Sequence, residues 1–195
     1  QLHESEEAAT LGRAVLQYMD LKCQQLSERY GLKIVLEQTP AESTALRFAK
    51  LDLRAYPEIA KKYIKGNIET GEIYYTNSTH LNYKLAQDPI DKVMQEGELH
   101  PMIKAGAITH IWMGEHKPDP KALASFVMKT FKYTENAQVA FSPEFTICNE
   151  CSHMERGLND HCSLCGSENV DGITRVTGYF TRTSSWNAGK RGELK

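Results

Sequence analysis

Between residues 6 and 30 the apolar side chains Leu11, Val15, Tyr18, Met19 and Leu26 recur at helical spacing, and Gly31 follows where a helix ends, so the pattern predicts one long amphipathic helix. Residues 33–38 are short and β-branched and read as a strand. After Thr39-Pro40 a helical pattern runs over residues 41–53. Residues 73–77 give the next strand, 90–95 a short helix, 107–113 a strand, 120–131 a helix and 139–141 a last strand. Strands alternating with helices predict α/β layering, as a barrel or as an open sheet. Beyond Pro143 the periodicity gives way to Cys, Gly, Ser and Asn, which predicts a small appended module ordered by something other than a large core, followed by a tail.

Composition narrows the class. With 195 residues, 41% hydrophobic and 25% charged, the chain can bury a core and is neither disordered nor fibrous. A net charge of -2 excludes a histone-like polyanion binder while allowing a local basic patch. No apolar run approaches the ~18 residues that span a bilayer, and the opening Gln-Leu-His-Glu-Ser-Glu-Glu is acidic where a secretory signal is basic and then apolar. The expectation is a cytoplasmic chain with no membrane partner. Its start at Gln1 and its polar end suggest a piece of something longer.

Cys148-Asn149-Glu150-Cys151 and Cys162-Ser163-Leu164-Cys165 form two pairs with ten residues between them. Two residues between thiolates let both sulfurs of a turn face one ion, and four thiolates close a tetrahedral zinc shell with no open position, as a structural site has. Disulfides or redox pairs are the competing reading, although nothing here is secretory, and an iron–sulfur cluster is a lesser one. His153 and His161 flank the pairs as surface residues. Cys23 falls within the first helix, as a small apolar side chain.

Arg175-Val176-Thr177-Gly178-Tyr179-Phe180 and then Trp186-Asn187-Ala188-Gly189-Lys190 come after the cysteines. Taken by themselves, these residues describe a glycine-bearing hairpin and a basic tail. Arg175, Arg182, Lys190, Arg191 and Lys195 stand there against Glu193, with aromatic residues interleaved, so a zinc-ribbon nucleic-acid module is one reading. The run Arg-Val-Thr-Gly-Tyr, however, resembles the glycyl-radical motif of the glycyl radical enzymes. The ribbon before it and Asn187-Ala188-Gly189-Lys190 after it resemble the anaerobic (class III) ribonucleotide reductase branch. Thr39-Pro40-Ala41-Glu42-Ser43 and Tyr75-Thr76-Asn77-Ser78 resemble segments of the same family, so the similarity runs along essentially all of the chain, over the C-terminal portion of a longer family sequence.

The resemblance implies a ten-stranded α/β barrel of the glycyl radical enzyme type, with residues 1–143 as its C-terminal portion, 144–170 as the zinc ribbon and 171–195 as the radical loop and tail. It implies anaerobic reduction of ribonucleoside triphosphates to deoxyribonucleoside triphosphates for DNA replication, with a radical on Gly178. That radical would be installed by an S-adenosylmethionine-dependent iron–sulfur activase and passed to a cysteine that none of the five present here matches. A formate or thiol-protein reductant and a homodimer are further implications, and no nucleic acid is expected. A formate-lyase-like acyltransferase is the neighbouring alternative, although that branch has no use for the ribbon. The chemistry suits glycine: an α-carbon radical is stabilised in a planar centre, which glycine reaches without a side chain clashing with its own backbone. An ordinary turn glycine is the plainer reading of Gly178.

Two further segments carry candidate substrate contacts. Residues Thr39, Pro40, Ala41, Glu42, Ser43 and Thr44 present N–H groups, hydroxyls and a helix N-terminus, which suits nucleotide phosphates. Capping by Thr39 with Pro40 in the first helical position also explains them, and an inward Glu42 would oppose a phosphate, but the resemblance to ribonucleotide reductases implies that this loop holds the substrate's phosphates. Asn77 and Ser78, at the end of a strand, are candidates for the active-site wall, whereas His80 reads as a structural histidine and residues 100–107 as a glycine-bearing loop.

Overall fold

The computed structural model describes residues 5–82 and 88–194. Lys195, counted above in the basic tail, and the first four residues, part of the acidic opening, lie outside the described residues. The chain divides into two compact units, one from Gln1–Thr39, Ser78–Thr109 and Pro120–Ala140, the other from Pro40–Asn77, His110–Asp119 and Phe141–Lys195.

In the first unit, α1 (Glu6–Tyr30) matches the predicted helix. Ser5 caps it by accepting from Ala8 N at 3.2 Å, Glu6 and Glu7 sit in its first turn, and Gly31 ends it at φ 64. The predicted strand over residues 33–38 does not form. Its backbone finds other partners: Ile34 N donates to Ser27 Oγ at 2.9 Å, Ala105 N to Leu36 O at 2.9 Å and Gln38 N to Gly106 O at 3.1 Å, leaving one isolated bridge between Glu37 and Gly106. A β-branched run supplies propensity, but without a neighbouring strand there is no ladder to join. Helix α4 (Pro89–Gly97) starts at Asp88, whose carboxylate accepts from Ile90 N at 2.7 Å, and α5 (Pro120–Tyr133) lies where the periodicity put it. Strands β3 (Ile108–Gly114) and β4 (Gln138–Pro143) pair with one another.

Glu96 of α4 has no exposed surface, and it takes a proton donor from each side. Lys92 Nζ lies 2.6 Å from Oε1, Leu81 N donates to the same oxygen at 2.9 Å, and His80 Nδ1 stands 3.6 Å from Oε2. Burial alone pushes this carboxyl up, but His80 and Lys92 outweigh it and bring Glu96 down to about 2. His80 is thus packed as a partner of Glu96, in line with the structural role expected of it.

The second unit contains α2 (Glu42–Ala55), the single turn α3 (Pro57–Ala60) and the hairpin of β1 (Lys65–Asn67) with β2 (Glu72–Tyr74). Ala49, Ala60, Ile64 and Ile73 form its core, with Leu46, Leu53 and Tyr75 packed around them. The strand expected over residues 73–77 stops after Tyr74, and Asn77 instead uses its side chain, Oδ1 accepting from Ala41 N at 2.7 Å. Strands β5 (Phe145–Cys148), β6 (Met154–Arg156), β7 (Val170–Thr174) and β8 (Thr181–Arg182) make an antiparallel sheet in the order β6-β5-β7-β8. Helix α6 (Ala188–Leu194) lies on β2 through two glycines: a Cβ on Gly192 would stand 2.4 Å from Glu72 O, and one on Gly189 2.9 Å from Ile73 O. The whole is a mixed α/β structure.

Candidate functional site

The four cysteines converge. Each pair occupies a tight turn in which the residue after the second cysteine is left-handed, Ser152 at φ 61 and Gly166 at φ 73. Ser152 N donates to Cys148 O at 3.0 Å and Gly166 N to Cys162 O at 2.9 Å, so the two turns repeat one geometry. The sulfurs of Cys148 and Cys165 are 3.6 Å apart, as are those of Cys151 and Cys162, and all four lie within 4.8 Å of one another. A disulfide would bring two sulfurs to about 2.05 Å. Thiolates about 2.3 Å from a central ion are separated by roughly 3.8 Å, so the observed spacing fits a tetrahedral four-sulfur metal shell.

The protons on this cluster report crowding. The Cys151 N–H aimed at its sulfur is the main influence bringing the Cys148 thiol down to about 7. For Cys151, the His153 N–H favours the thiolate, but burial and the sulfurs of Cys165, Cys162 and Cys148 prevail and push it up to about 12. Four thiolates cannot share this space unless a cation stands among them. His153 Nε2 lies 3.4 Å from Ser163 Oγ, and His161 is exposed.

At the other end of the same sheet, Thr174 pairs with Thr181, and residues 175–180 form the loop between β7 and β8. The loop is anchored on its N-terminal side: Arg175 Nε donates to Ser142 Oγ at 2.9 Å, and Trp112 Nε1 donates to Val176 O at 2.9 Å. Val176 and Thr177 are buried, Gly178 is half-buried, and Tyr179 is 86% exposed. Gly178 stands at φ 72, a conformation natural to glycine. A Cβ there would lie 3.1 Å from Glu42 Oε1 and 3.6 Å from Pro40 Cβ.

The structure therefore brings Pro40, Ala41, Glu42 and Asn77 together with Gly178 in one unit. Ser43 and Thr44 occupy the first turn of α2, Ser43 exposed and Thr44 half-buried, while Thr39 and Ser78 belong to the first unit, both exposed, with Ser78 left-handed at φ 50. Thr39 does not cap the helix. The cap position is Ala41, which offers no side-chain acceptor, so the first-turn N–H groups of α2 are not closed off by a capping side chain.

Three residues escaped the sequence reading. Lys190, counted there as part of a basic tail, is buried, 2.6 Å from Glu42 Oε1 and 4.4 Å from the centre of the Trp186 ring. Burial, and then the neighbouring charge of Glu42, push Glu193 up to about 8, with Lys190 pulling the other way. The signal available was the spacing of Lys190 and Glu193, three residues apart, which gathers two side chains on one helical face. Arg182 Nη1 likewise donates to Asn149 Oδ1 at 2.7 Å. Lys190 is thus taken into the fold, while Arg182 and Arg191 stay exposed beside Asp171 and Glu72.

A four-sulfur knuckle and a glycine loop at opposite ends of one small sheet, in a mixed α/β protein, define a class for which solved structures exist. The fold is similar to that of the anaerobic ribonucleotide reductase from Thermotoga maritima, both in complex with dATP and CTP (TM-score 0.73, 21% identity, 97% of this chain and 29% of that one) and with MES in its active site (TM-score 0.73, 22% identity, 94% and 28%). In sequence, the anaerobic ribonucleoside-triphosphate reductase of Enterobacteria phage T4 is 28% identical over 192 residues, covering 94% of this chain and 30% of the relative. That of Escherichia coli is 25% identical over 203 residues, covering 100% and 27%. The model of the anaerobic ribonucleoside-triphosphate reductase family matches residues 1–195, and the chain belongs to that family. It spans 27% to 30% of the length of these relatives.

Proposed function

We propose that the chain serves in the anaerobic reduction of ribonucleoside triphosphates to deoxyribonucleoside triphosphates, as the C-terminal part of an oxygen-sensitive reductase, and that Gly178 stores the radical. The observation that carries this reading is the placement of Gly178: left-handed, half-buried, in a loop anchored by Trp112 and Arg175, against the turn before α2. Its α-carbon loses a hydrogen atom to a radical generated from S-adenosylmethionine by a separate iron–sulfur activase, and the spin is relayed to a cysteine outside these residues. Residues 1–143 belong to a ten-stranded barrel, 144–170 to the ribbon and 171–195 to the radical loop and tail. Cys148, Cys151, Cys162 and Cys165 hold a structural zinc, which stiffens the sheet from which the loop springs.

The substrate's phosphates lie at the start of α2, among Thr39, Pro40, Ala41, Glu42, Ser43 and Thr44, with Asn77 and Ser78 on the adjoining wall. What supports this is the helix N-terminus lacking a side-chain cap, whose N–H groups suit an anion, together with a Glu42 carboxylate already neutralised by Lys190. The reductant is formate or a thiol protein, and the enzyme is a cytoplasmic homodimer. Among the described residues no helix is long and apolar enough to cross a membrane.

Electron paramagnetic resonance of the full-length protein after anaerobic activation tests the reading. A doublet that collapses when glycine α-carbons are deuterated, and that Gly178→Ala eliminates, is the expected outcome. A spin on another residue, or none under competent activation, overturns it.

A further inference from the structure

Gly178 is flanked by a charged pair whose members stand far apart in sequence. The α-hydrogen that points where an L side chain would go meets Glu42 Oε1 and Pro40. Glu42 Oε1 is 2.6 Å from Lys190 Nζ, on a lysine side chain that is 5% exposed. Lys190 has little water to lean on, and its charge is balanced by Glu42 and by the face of Trp186, 4.4 Å away and itself buried. Asn187 Oδ1 accepts from Lys190 N at 3.0 Å and fixes the first turn of α6, so the lysine is aimed from a rigid base.

We infer that Glu42 and Lys190 form a latch that positions the radical loop: closed, it seats Gly178 against the turn before α2, and open, it frees the loop for the activating enzyme. The inference rests on Gly178 being the radical site. To take a hydrogen atom, an activator's nucleoside radical must reach van der Waals contact with the α-carbon, its own carbon gaining that hydrogen while the spin passes to Gly178. On one side that approach is filled by Glu42 and Pro40, and on the N-terminal side Val176 and Thr177 are buried. Room for a nucleoside on the Glu42 side requires the loop to leave. An ion pair buried at its lysine end and half-buried at Glu42 suits this task, because exchanging it for two hydrated ions is nearly balanced, whereas losing Glu42 alone leaves the buried lysine without its counter-charge. Glu42 and Lys190 are thus positioning residues, acting through where they hold Gly178.

The test uses the full-length protein with its radical-SAM activase and the variants Lys190→Met, Glu42→Gln, the double variant and Lys190→Arg. Two quantities are read: the rate at which the glycyl doublet appears, and deoxynucleotide formed per radical. A latch moves them in opposite directions. Radical installation should become several-fold faster in Lys190→Met, while turnover per radical falls about tenfold or more, and the double variant should lose no more than the worse single one. Lys190→Arg, which keeps the charge, should stay within a few-fold of wild type. Installation and turnover per radical falling together, turnover per radical staying at the wild-type level, or additive losses in the double variant would each overturn the latch. Should Lys190→Met fail to fold, the rate of radical installation in Glu42→Gln, which keeps the volume, decides: faster installation supports the latch and an unchanged or slower rate overturns it, whatever that variant does to phosphate binding. A wild-type protein without a glycyl doublet would instead overturn the assignment of Gly178, a failure separable from normal wild-type radical with variants that behave as wild type.

Discussion

At Gly178 a single added methyl meets two obstacles. The left-handed backbone costs an L side chain about 1–2 kcal/mol, and the methyl would press on Glu42 at 3.1 Å. Gly178→Ala is therefore expected to lower stability modestly while removing radical storage altogether; thermal unfolding beside electron paramagnetic resonance separates the two effects. Lys92 offers the opposite case, a residue with no part in the proposed chemistry whose loss is severe. With Lys92→Met the fully buried Glu96 keeps only His80 and the Leu81 N–H, and breaking such a pair costs about 3–5 kcal/mol. Denaturant unfolding should show it, and an unchanged midpoint would mean the pair contributes little. The convergence of the four cysteines could be read from sequence because two intervening residues fix the turn by themselves. Glu42 and Lys190 could not, since nothing in either segment says that the helix start and the tail meet.

Among the elements, α6 carries a coupling to pH on the alkaline side of the ordinary carboxyl range. Glu193 rises to about 8 under burial and the charge of Glu42. Its folded state thus holds a proton more tightly than the unfolded chain does, so the stability it contributes is complete below the ordinary carboxyl range. That stability is lost as pH climbs from there through about 8. Glu193→Gln should flatten the dependence over this window and raise stability at its alkaline end; thermal melts across pH test it, and parallel curves for both proteins would refute it. Gly192→Ala should undock the same helix, since its methyl would meet Glu72 O at 2.4 Å and backbone has little freedom to yield. Most elements were legible because helical and strand periods differ, and α1, α5 and β3 lie where the periods put them. Residues 33–38 failed because strand propensity says nothing about whether a partner strand exists, and here Ser27 and the 105–106 segment took up the hydrogen bonds.

For the molecule as a whole, metal removal is the informative perturbation. The thiols bind zinc only when deprotonated, so affinity should fall steeply as pH drops and loading should release protons, measurable by titration calorimetry in buffers of different ionisation heat. Chelation should loosen the four-stranded sheet while leaving the core around Ala49 and Ile73 folded; loss of amide protection confined to residues 145–182 is the expected hydrogen-exchange result, and uniform loss would contradict it.

Strand β7 carries a consequence of its own. One end lies opposite Cys148 and the other runs into the segment that ends at Gly178. Five residues of extended chain measure about 17 Å, and a strand of that length is stiff. Air that oxidises the sulfurs would accordingly slacken the tether at the far end, so protein aerated before it carries any radical should accept one on anaerobic activation only after its thiols are reduced and remetallated.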